Sequence, residues 1–261
     1  RAAWHNRRKT GRRGGGVSAY GALAGRYDEL TRDIPYGRLA DYCEAVFAAD
    51  GGEFRLLLDL CCGTGSLTLE LASRGYDMIG ADASADMLME AMKKAAAPGF
   101  AARPLFINQS AQELDLYGTV DAAVSSLDSL NYVPPRELRE AFRRLRLFIR
   151  PGGLLLFDLR TPEFLRSMDG SMSVDETEDV FCVWRGRYDA EAGALRYGMD
   201  IFEREGESWL RSGEEHVEYA HEPETLKAWL AEEGFTDISA AENGPIEGGG
   251  RVYFKAKRGN D

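Results

Sequence analysis

Arg55-Leu56-Leu57-Leu58-Asp59-Leu60-Cys61-Cys62-Gly63-Thr64-Gly65 is the stretch that decides the fold. Leu56 to Leu58 form a short apolar run, Asp59 follows, and glycines at 63 and 65 mark a turn. A helical pattern begins directly after, with Leu67 and Leu71 four residues apart. The order is strand, glycine turn, helix. A second acid, Asp82, closes the next strand-like stretch, 76–81. Such a unit suits a ligand that contains a nucleoside.

The same alternation continues downstream. Strands are expected at 55–60, 76–81, 104–109, 120–127 and 153–159, with helices at 66–74, 85–96 and 136–149 between them. Leu138, Phe142, Leu145 and Ile149 lie on one face of the last helix. Alternation of this kind predicts an α/β fold, a Rossmann-like, doubly wound and mostly parallel sheet covered on both faces. Upstream, residues 18–48 read as one or two helices broken near Ile34-Pro35. After Arg160 the period changes. A short helix at 162–168 is followed by strands at 180–188, 194–203 and 208–220, with a hairpin loop at 190–193. Leu195, Tyr197, Met199 and Ile201 alternate with Arg196, Gly198 and Asp200, as in a half-buried antiparallel strand. A helix at 223–233 and strands at 235–241 and 251–257 complete the chain. The expected organisation is a disordered basic tail (1–16), an N-terminal helical cap (17–50), a cofactor-binding body (51–160 and 221–261) and an inserted antiparallel β lid (161–220).

Composition narrows the function. The 261 residues carry 32 basic and 43 acidic side chains, a net charge of −11. Six of the basic residues fall in the first sixteen positions, which hold no acid, so the body is more acidic still. Such a body repels phosphate backbones, which argues against nucleic acid as a partner. No apolar run approaches the roughly 18 residues of a membrane span. Cys43, Cys61, Cys62 and Cys182 show no metal-ligand spacing, so no metal is expected, and they fit small buried fillers in a reducing cytoplasm.

Gly63 and Gly65 permit a tight turn with close backbone approach to a ligand. A dinucleotide fingerprint would place a third glycine where Thr68 stands, and it rarely carries an acid such as Asp59 in its turn. An acid there suits a cationic ammonium group. Asp82 is placed to accept hydrogen bonds from ribose hydroxyls. An amino acid joined to a nucleoside meets both conditions, and S-adenosylmethionine is such a molecule. A nicotinamide-dependent oxidoreductase and a non-catalytic cofactor-binding protein are the rival functions.

Five stretches in order strengthen this. Leu58 to Gly65 resembles motif I of class I S-adenosylmethionine-dependent methyltransferases, and Gly80 to Leu88 their second motif. Gln109 to Leu114 resembles the adenine loop, Ser126 to Tyr132 the strand-four motif of a bacterial small-molecule subgroup, and Pro151-Gly152-Gly153 the turn before strand five. Tyr20 to Tyr36 is similar to that subgroup's N-terminal helix. Aminosugar N-methyltransferases and glycine N-methyltransferase are the named relatives of the subgroup. The resemblance implies that Gly63 and Gly65 line the methionine part of the cofactor, Asp59 anchors its amino-acid end and Asp82 holds the ribose. It also implies that Ala83 and Met87 flank adenine, Ala111 offers its N–H to the ring and Gln112 lies beside it. Ser110 stands where the family often has an acid. Leu127 counts among the cofactor-binding residues, and Tyr20 or Tyr27 closes over the methionine end.

Methyl transfer from a sulfonium needs an in-line nucleophile and exclusion of water, and it needs a base only when the nucleophile arrives protonated. Candidate catalytic groups are His216, Tyr132 and Asp128, with His221 as a further one. Strand parity puts Glu214, His216 and Glu218 on one face and Val217, Tyr219 and His221 on the other, and the first set is favoured to face the site. Trp184 and Trp209 shape the pocket or fill the small sheet. An acidic lid would suit an amine or other cationic small-molecule acceptor. The sequence is silent on oligomeric state.

Overall fold

The computed structural model describes residues 24, 27–97 and 102–260. The expected tail at 1–16 and Tyr20 lie outside the described residues. The elements run α1 (Tyr27–Leu30), α2 (Tyr36–Asp50), β1 (Leu56–Leu60), α3 (Ser66–Ser73), β2 (Asp77–Asp82), α4 (Ala85–Ala95), β3 (Leu105–Asn108), β4 (Val120–Ser125), α5 (Pro135–Phe148), β5 (Ile149–Arg160) and α6 (Pro162–Ser167). They continue with β6 (Met172–Glu176), β7 (Val180–Asp189), β8 (Ala194–Glu205), β9 (Ser208–Tyr219), α7 (Pro223–Glu232), β10 (Phe235–Ala241) and β11 (Arg251–Arg258).

Seven strands form the main sheet in the order β10-β11-β5-β4-β1-β2-β3. β1 to β5 are parallel, and β11 runs antiparallel to both β5 and β10. Both faces are covered, so the central strands are apolar throughout rather than alternating. Leu58, Ala123, Leu155 and Phe157 pack with α5 and α7 on one face. Leu57, Ala122, Val124, Leu154 and Leu156 pack with α2 and α3 on the other. The sheet order reverses between β1 and β4. Ligands bind outside the strand carboxyl ends at such a switch point.

The stretch expected as a helical cap divides in two. The Pro35 boundary separates α1 from α2, and α2 buries Leu39, Ala40, Cys43 and Phe47 against the main sheet. α1 and the first residue of α2, Tyr36, reach the carboxyl edge of the strands. The small sheet, ordered β6-β7-β8-β9, is wholly antiparallel and lies in chain order between α6 and α7. Its inner face buries Val180, Cys182, Met199 and Ile201. Asp189 accepts the backbone N–H groups of Glu191 and Ala192 and so builds the β7–β8 turn. Asp200, on the opposite face, is held by Arg185 and Arg211.

Two differences from the sequence expectation matter. β6 carries no apolar periodicity because every residue in it is exposed, and backbone pairing to β7 alone makes it a strand. β4 ends at Ser125, short of the expected 127. Leu127 and Asp128 both take positive φ, 62° and 54°, which side-chain-bearing residues rarely adopt. The Asp158 carboxylate holds this kink by accepting the backbone N–H groups of Leu127 at 2.9 Å and Asp128 at 3.0 Å.

Candidate functional site

A cavity of about 430 Å³ opens at the carboxyl ends of β1, β2, β3 and β4. That volume lies within the ordinary range for a small-molecule or cofactor pocket. Asp59 at the end of β1 forms part of its floor and is 2% exposed. The Thr68 hydroxyl, from α3, donates to it at 2.5 Å. Thr68 occupies the place of the third glycine in a dinucleotide fingerprint, and here its side chain serves the acid. Burial pushes the Asp59 carboxyl up to about 7, against the Thr68 hydrogen bonds and with the nearby Asp82 charge adding to the rise. A desolvated carboxylate of this kind is stabilised by a ligand cation.

The turn itself is held from β2. Asp82 accepts the N–H of Gly63 at 2.8 Å and that of Ser84 at 2.7 Å, and burial raises its affinity for a proton. Gly63, at φ 55°, has open space where a side chain would project. Gly65, at φ 73°, has a different role. It is not on the cavity wall, and a Cβ there would meet Ala91 and Phe106 at 3.0 Å, so its bareness serves packing against α4 and β3. Ser84 caps α4 by accepting the Met87 N–H at 3.3 Å. Ala83 and Met87 lie on the adjacent wall, opposite Ser110, Ala111 and Gln112 of the loop after β3. The Ser110 hydroxyl donates to Glu113 at 2.5 Å, so it is occupied within its own loop. An acid, Glu137 of α5, lines the cavity near this end.

α1 closes the near side. Tyr27 lines the cavity and packs against the apolar cluster of the small sheet, and burial holds its phenol protonated well above the usual range. Asp28 pins α1 to the glycine turn, accepting the Thr64 hydroxyl at 2.6 Å and pairing with Lys94 at 2.6 Å. Tyr36, not singled out from sequence, also lines the cavity, and burial pushes its phenol up to about 12.

Ser126, Leu127, Ser129 and Tyr132 supply the far wall. The 3-10 turn Ser129–Tyr132 is fastened by Asn131, whose amide donates to the Tyr219 carbonyl at 2.9 Å and accepts the Arg160 N–H at 2.9 Å. That places Tyr132 against β9. The candidate catalytic groups then separate. Tyr132 is on the cavity wall. His216 is buried behind it, its ring edge-on to Tyr132 at 5.9 Å and its Nε2 3.0 Å from Glu214. Asp128 is turned away into an ion pair with Arg251 at 2.6 Å, and Arg251 also binds Asp158. His216 and Asp128, expected as catalytic candidates, are not among the residues that line this cavity, whereas Tyr132 is. The αL kink at 127–128 swings Asp128 out, and Tyr132 screens His216. His221 holds the Val133 carbonyl at 3.1 Å, and burial drives its affinity for a proton down to about 4, so it stays neutral. Trp209 is 42% exposed on the outer face of the small sheet, away from the cavity.

Sequence reasoning gave no role to Glu218, Arg251 or Asp158. Each belongs to a different distant strand, and no local spacing links them. Among the described lining residues are three acids, Asp59, Asp82 and Glu137, and no Lys, Arg or His. The cavity is electrostatically prepared for a cationic occupant.

A family model described as a methyltransferase domain matches residues 57–153, from β1 into β5. A demethylmenaquinone methyltransferase of Thermus thermophilus is 30% identical over 221 residues, covering 83% of this chain and 91% of that protein. The chain belongs to the S-adenosylmethionine-dependent methyltransferases. A putative methyltransferase of Bacillus subtilis, YqeM, is 29% identical over 249 residues, 92% of this chain and 97% of that protein. The crystal structure of an S-adenosylmethionine-dependent methyltransferase from Clostridium acetobutylicum superposes with a TM-score of 0.80 at 26% identity, over 92% of this chain and 99% of that one. The cofactor of this methyltransferase is S-adenosylmethionine. The observed site fits it: a buried acid, Asp59, stands at the end of β1, a second, Asp82, at the end of β2, and the described lining residues include no Lys, Arg or His. Nothing in the comparisons supports the nicotinamide alternative.

Proposed function

We propose that this methyltransferase methylates a small-molecule amine, which binds on the cavity side of Tyr132, with the small sheet behind Tyr132 acting as a lid. The observation that carries the reading is the pair of acids behind Tyr132, Glu214 and Glu218, whose side chains are buried and which the cofactor does not use, beside a cavity wall with no Lys, Arg or His among its described residues. When bound, S-adenosylmethionine supplies a methyl group activated by the sulfonium. Asp59 holds the ammonium end, Asp82 accepts the ribose hydroxyls, and the Ala111 N–H meets the adenine ring beside Met87 and Gln112. Tyr27 and Tyr36 cover the methionine end and exclude water, which strengthens every charge interaction inside. Tyr132 orients the acceptor nitrogen along the line of attack. The acidic body argues against a nucleic-acid acceptor, and four free cysteines fit a reducing cytoplasm.

The test is a panel of amines, thiols, phenols, carboxylates and demethylmenaquinone, incubated with purified protein and S-adenosylmethionine. S-adenosylhomocysteine release is the readout. Turnover on amines is expected. Turnover confined to the carboxylates or to demethylmenaquinone would overturn the amine assignment, and binding without turnover on any class would favour a non-catalytic role.

A further inference from the structure

The Tyr132 hydroxyl stands beside the Glu218 carboxylate as a candidate donor to it, and lowers its affinity for a proton. Glu218 sits on the inner face of β9, is 3% exposed, and its Oε2 is buried with no hydrogen-bond partner. An unfilled carboxylate oxygen in so dry a place costs free energy on the order of 1–3 kcal/mol. The groups around it come from every neighbouring element: Asp128 after β4, Arg160 of β5, Arg251 of β11, Tyr197 of β8, and His216 two residues before it on β9. Arg251 is committed to Asp128 and Asp158, and Arg160 to Asp128 at 3.7 Å and the Gly249 carbonyl. Neither arginine is within ion-pair distance of Glu218, so the carboxylate is steered towards Tyr132. His216 packs edge-on against the same phenol and fixes the ring from a second side.

We propose that Glu218 is the positioning residue and proton acceptor behind Tyr132. By accepting a hydrogen bond from the intact phenol, the carboxylate turns the Tyr132 oxygen so that it can receive a hydrogen from the acceptor's nitrogen on the cavity side. An ammonium proton passes to the Tyr132 oxygen while the phenol's own proton passes to Glu218. The acceptor becomes a neutral amine with a free lone pair, Tyr132 is regenerated, and Glu218 becomes a carboxylic acid that returns its proton to water after product leaves. The proposal rests on the amine reading above. Burial and the Asp128 charge push the Glu218 carboxyl up to about 8, against the pull of Tyr132, Arg160 and Arg251, which suits it to exchange protons with an amine near neutral pH.

The test needs no acceptor. Protein labelled with ¹³C at tyrosine Cζ is titrated from about pH 6 to about pH 10 with S-adenosylhomocysteine bound, and Tyr132→Phe identifies the Tyr132 resonance. A step centred near pH 8 is expected in the wild type as Glu218 ionises, and a flat line in the isosteric Glu218→Gln. S-adenosylhomocysteine affinity should stay within about threefold in Glu218→Gln, because Glu218 does not line the cofactor cavity. With an amine from the panel, Glu218→Gln should lower kcat by about 100-fold or more and remove its rise with pH. No step in the wild type, or the same step in Glu218→Gln, overturns the proposal while leaving the cofactor assignment standing. Failure of every amine with the NMR step intact counts instead against the amine reading.

Discussion

Asp59 and Glu218 are both buried carboxylates pushed upward by desolvation, yet they are held by two different kinds of structure. Asp59 belongs to a site whose parts are close in sequence. Its partner Thr68 is nine residues away, and the backbone N–H that Asp82 accepts from Gly63 spans nineteen. Glu218 belongs to a site gathered from β4, β5, β8, β9 and β11, where hydrogen bonds and ion pairs join residues from 29 (Asn131 and Arg160) to 123 (Asp128 and Arg251) positions apart. The first is a local device that any strand–turn–helix of the right sequence rebuilds. The second exists only once the whole fold has closed. With the roles proposed above, the methyl-donor half is local and the acceptor half is long-range, so changing a distant strand alters the second and leaves the first untouched.

The comparison is broken most severely at Arg251. Arg251→Met leaves buried Asp158 without its cation and Asp128 with Arg160 alone, and breaking a buried pair from one side costs about 3–5 kcal/mol. Urea unfolding should show this loss, and an unchanged midpoint would mean that the long-range charges do not knit the acceptor half together. On the local side, Gly65→Ala should cost about 2 kcal/mol, since it combines a left-handed backbone with contacts at 3.0 Å to Ala91 and Phe106. A thermal melt indistinguishable from wild type would reject the packing role given to that glycine.

Acidity separates the halves more gently. The Asp59 carboxyl, raised to about 7, is protonated in the empty protein below that pH and cannot pair with an ammonium group. S-adenosylhomocysteine affinity should therefore fall about tenfold per pH unit below about 7, equivalent to about 1.4 kcal/mol, and Asp59→Asn should flatten the dependence. The linked effect on the empty protein has the opposite sense. Between the ordinary carboxylate range and about 7 the folded state holds a proton that the unfolded chain has released, so this group's contribution to stability declines as pH rises through that window. Affinity independent of pH between about 5 and 8 would remove Asp59 from the ammonium site. The smallest effect belongs outside both halves. Trp209→Ser, on the outer face of the small sheet over Arg204, should change stability by no more than about 0.5 kcal/mol.

What could be read from sequence follows the same division. The parallel strands were legible because their apolar runs, glycine turn and amphipathic helices are local patterns, and α5 shows its stripe of Leu138, Phe142 and Leu145 plainly. β8 was legible because Leu195, Met199 and Ile201 alternate with outward residues. β6 was not, since nothing in Met172–Glu176 is buried. The kink at Leu127 and Asp128 was read as continuing strand, because its cause, the Asp158 carboxylate, lies thirty residues along the chain. That kink also explains why Asp128 looked like a catalytic acid from its place after β4 but turns instead to Arg251. Parity named the correct inner face of β9, Glu214, His216 and Glu218, yet it gave no sign that Tyr132 would stand between that face and the cavity.

Calorimetric titration of S-adenosylhomocysteine into wild type, Asp82→Ala and Glu218→Gln tests the separation of the two halves most directly. The account predicts that wild type and Glu218→Gln bind alike within about threefold. Asp82→Ala should keep its fold and lose about 100-fold or more, because hydrogen bonds to a charged group are worth about 1.5–3 kcal/mol each. NAD should give no binding heat. Unchanged affinity in Asp82→Ala, an equal loss in Glu218→Gln, or binding of NAD by the wild type would contradict it.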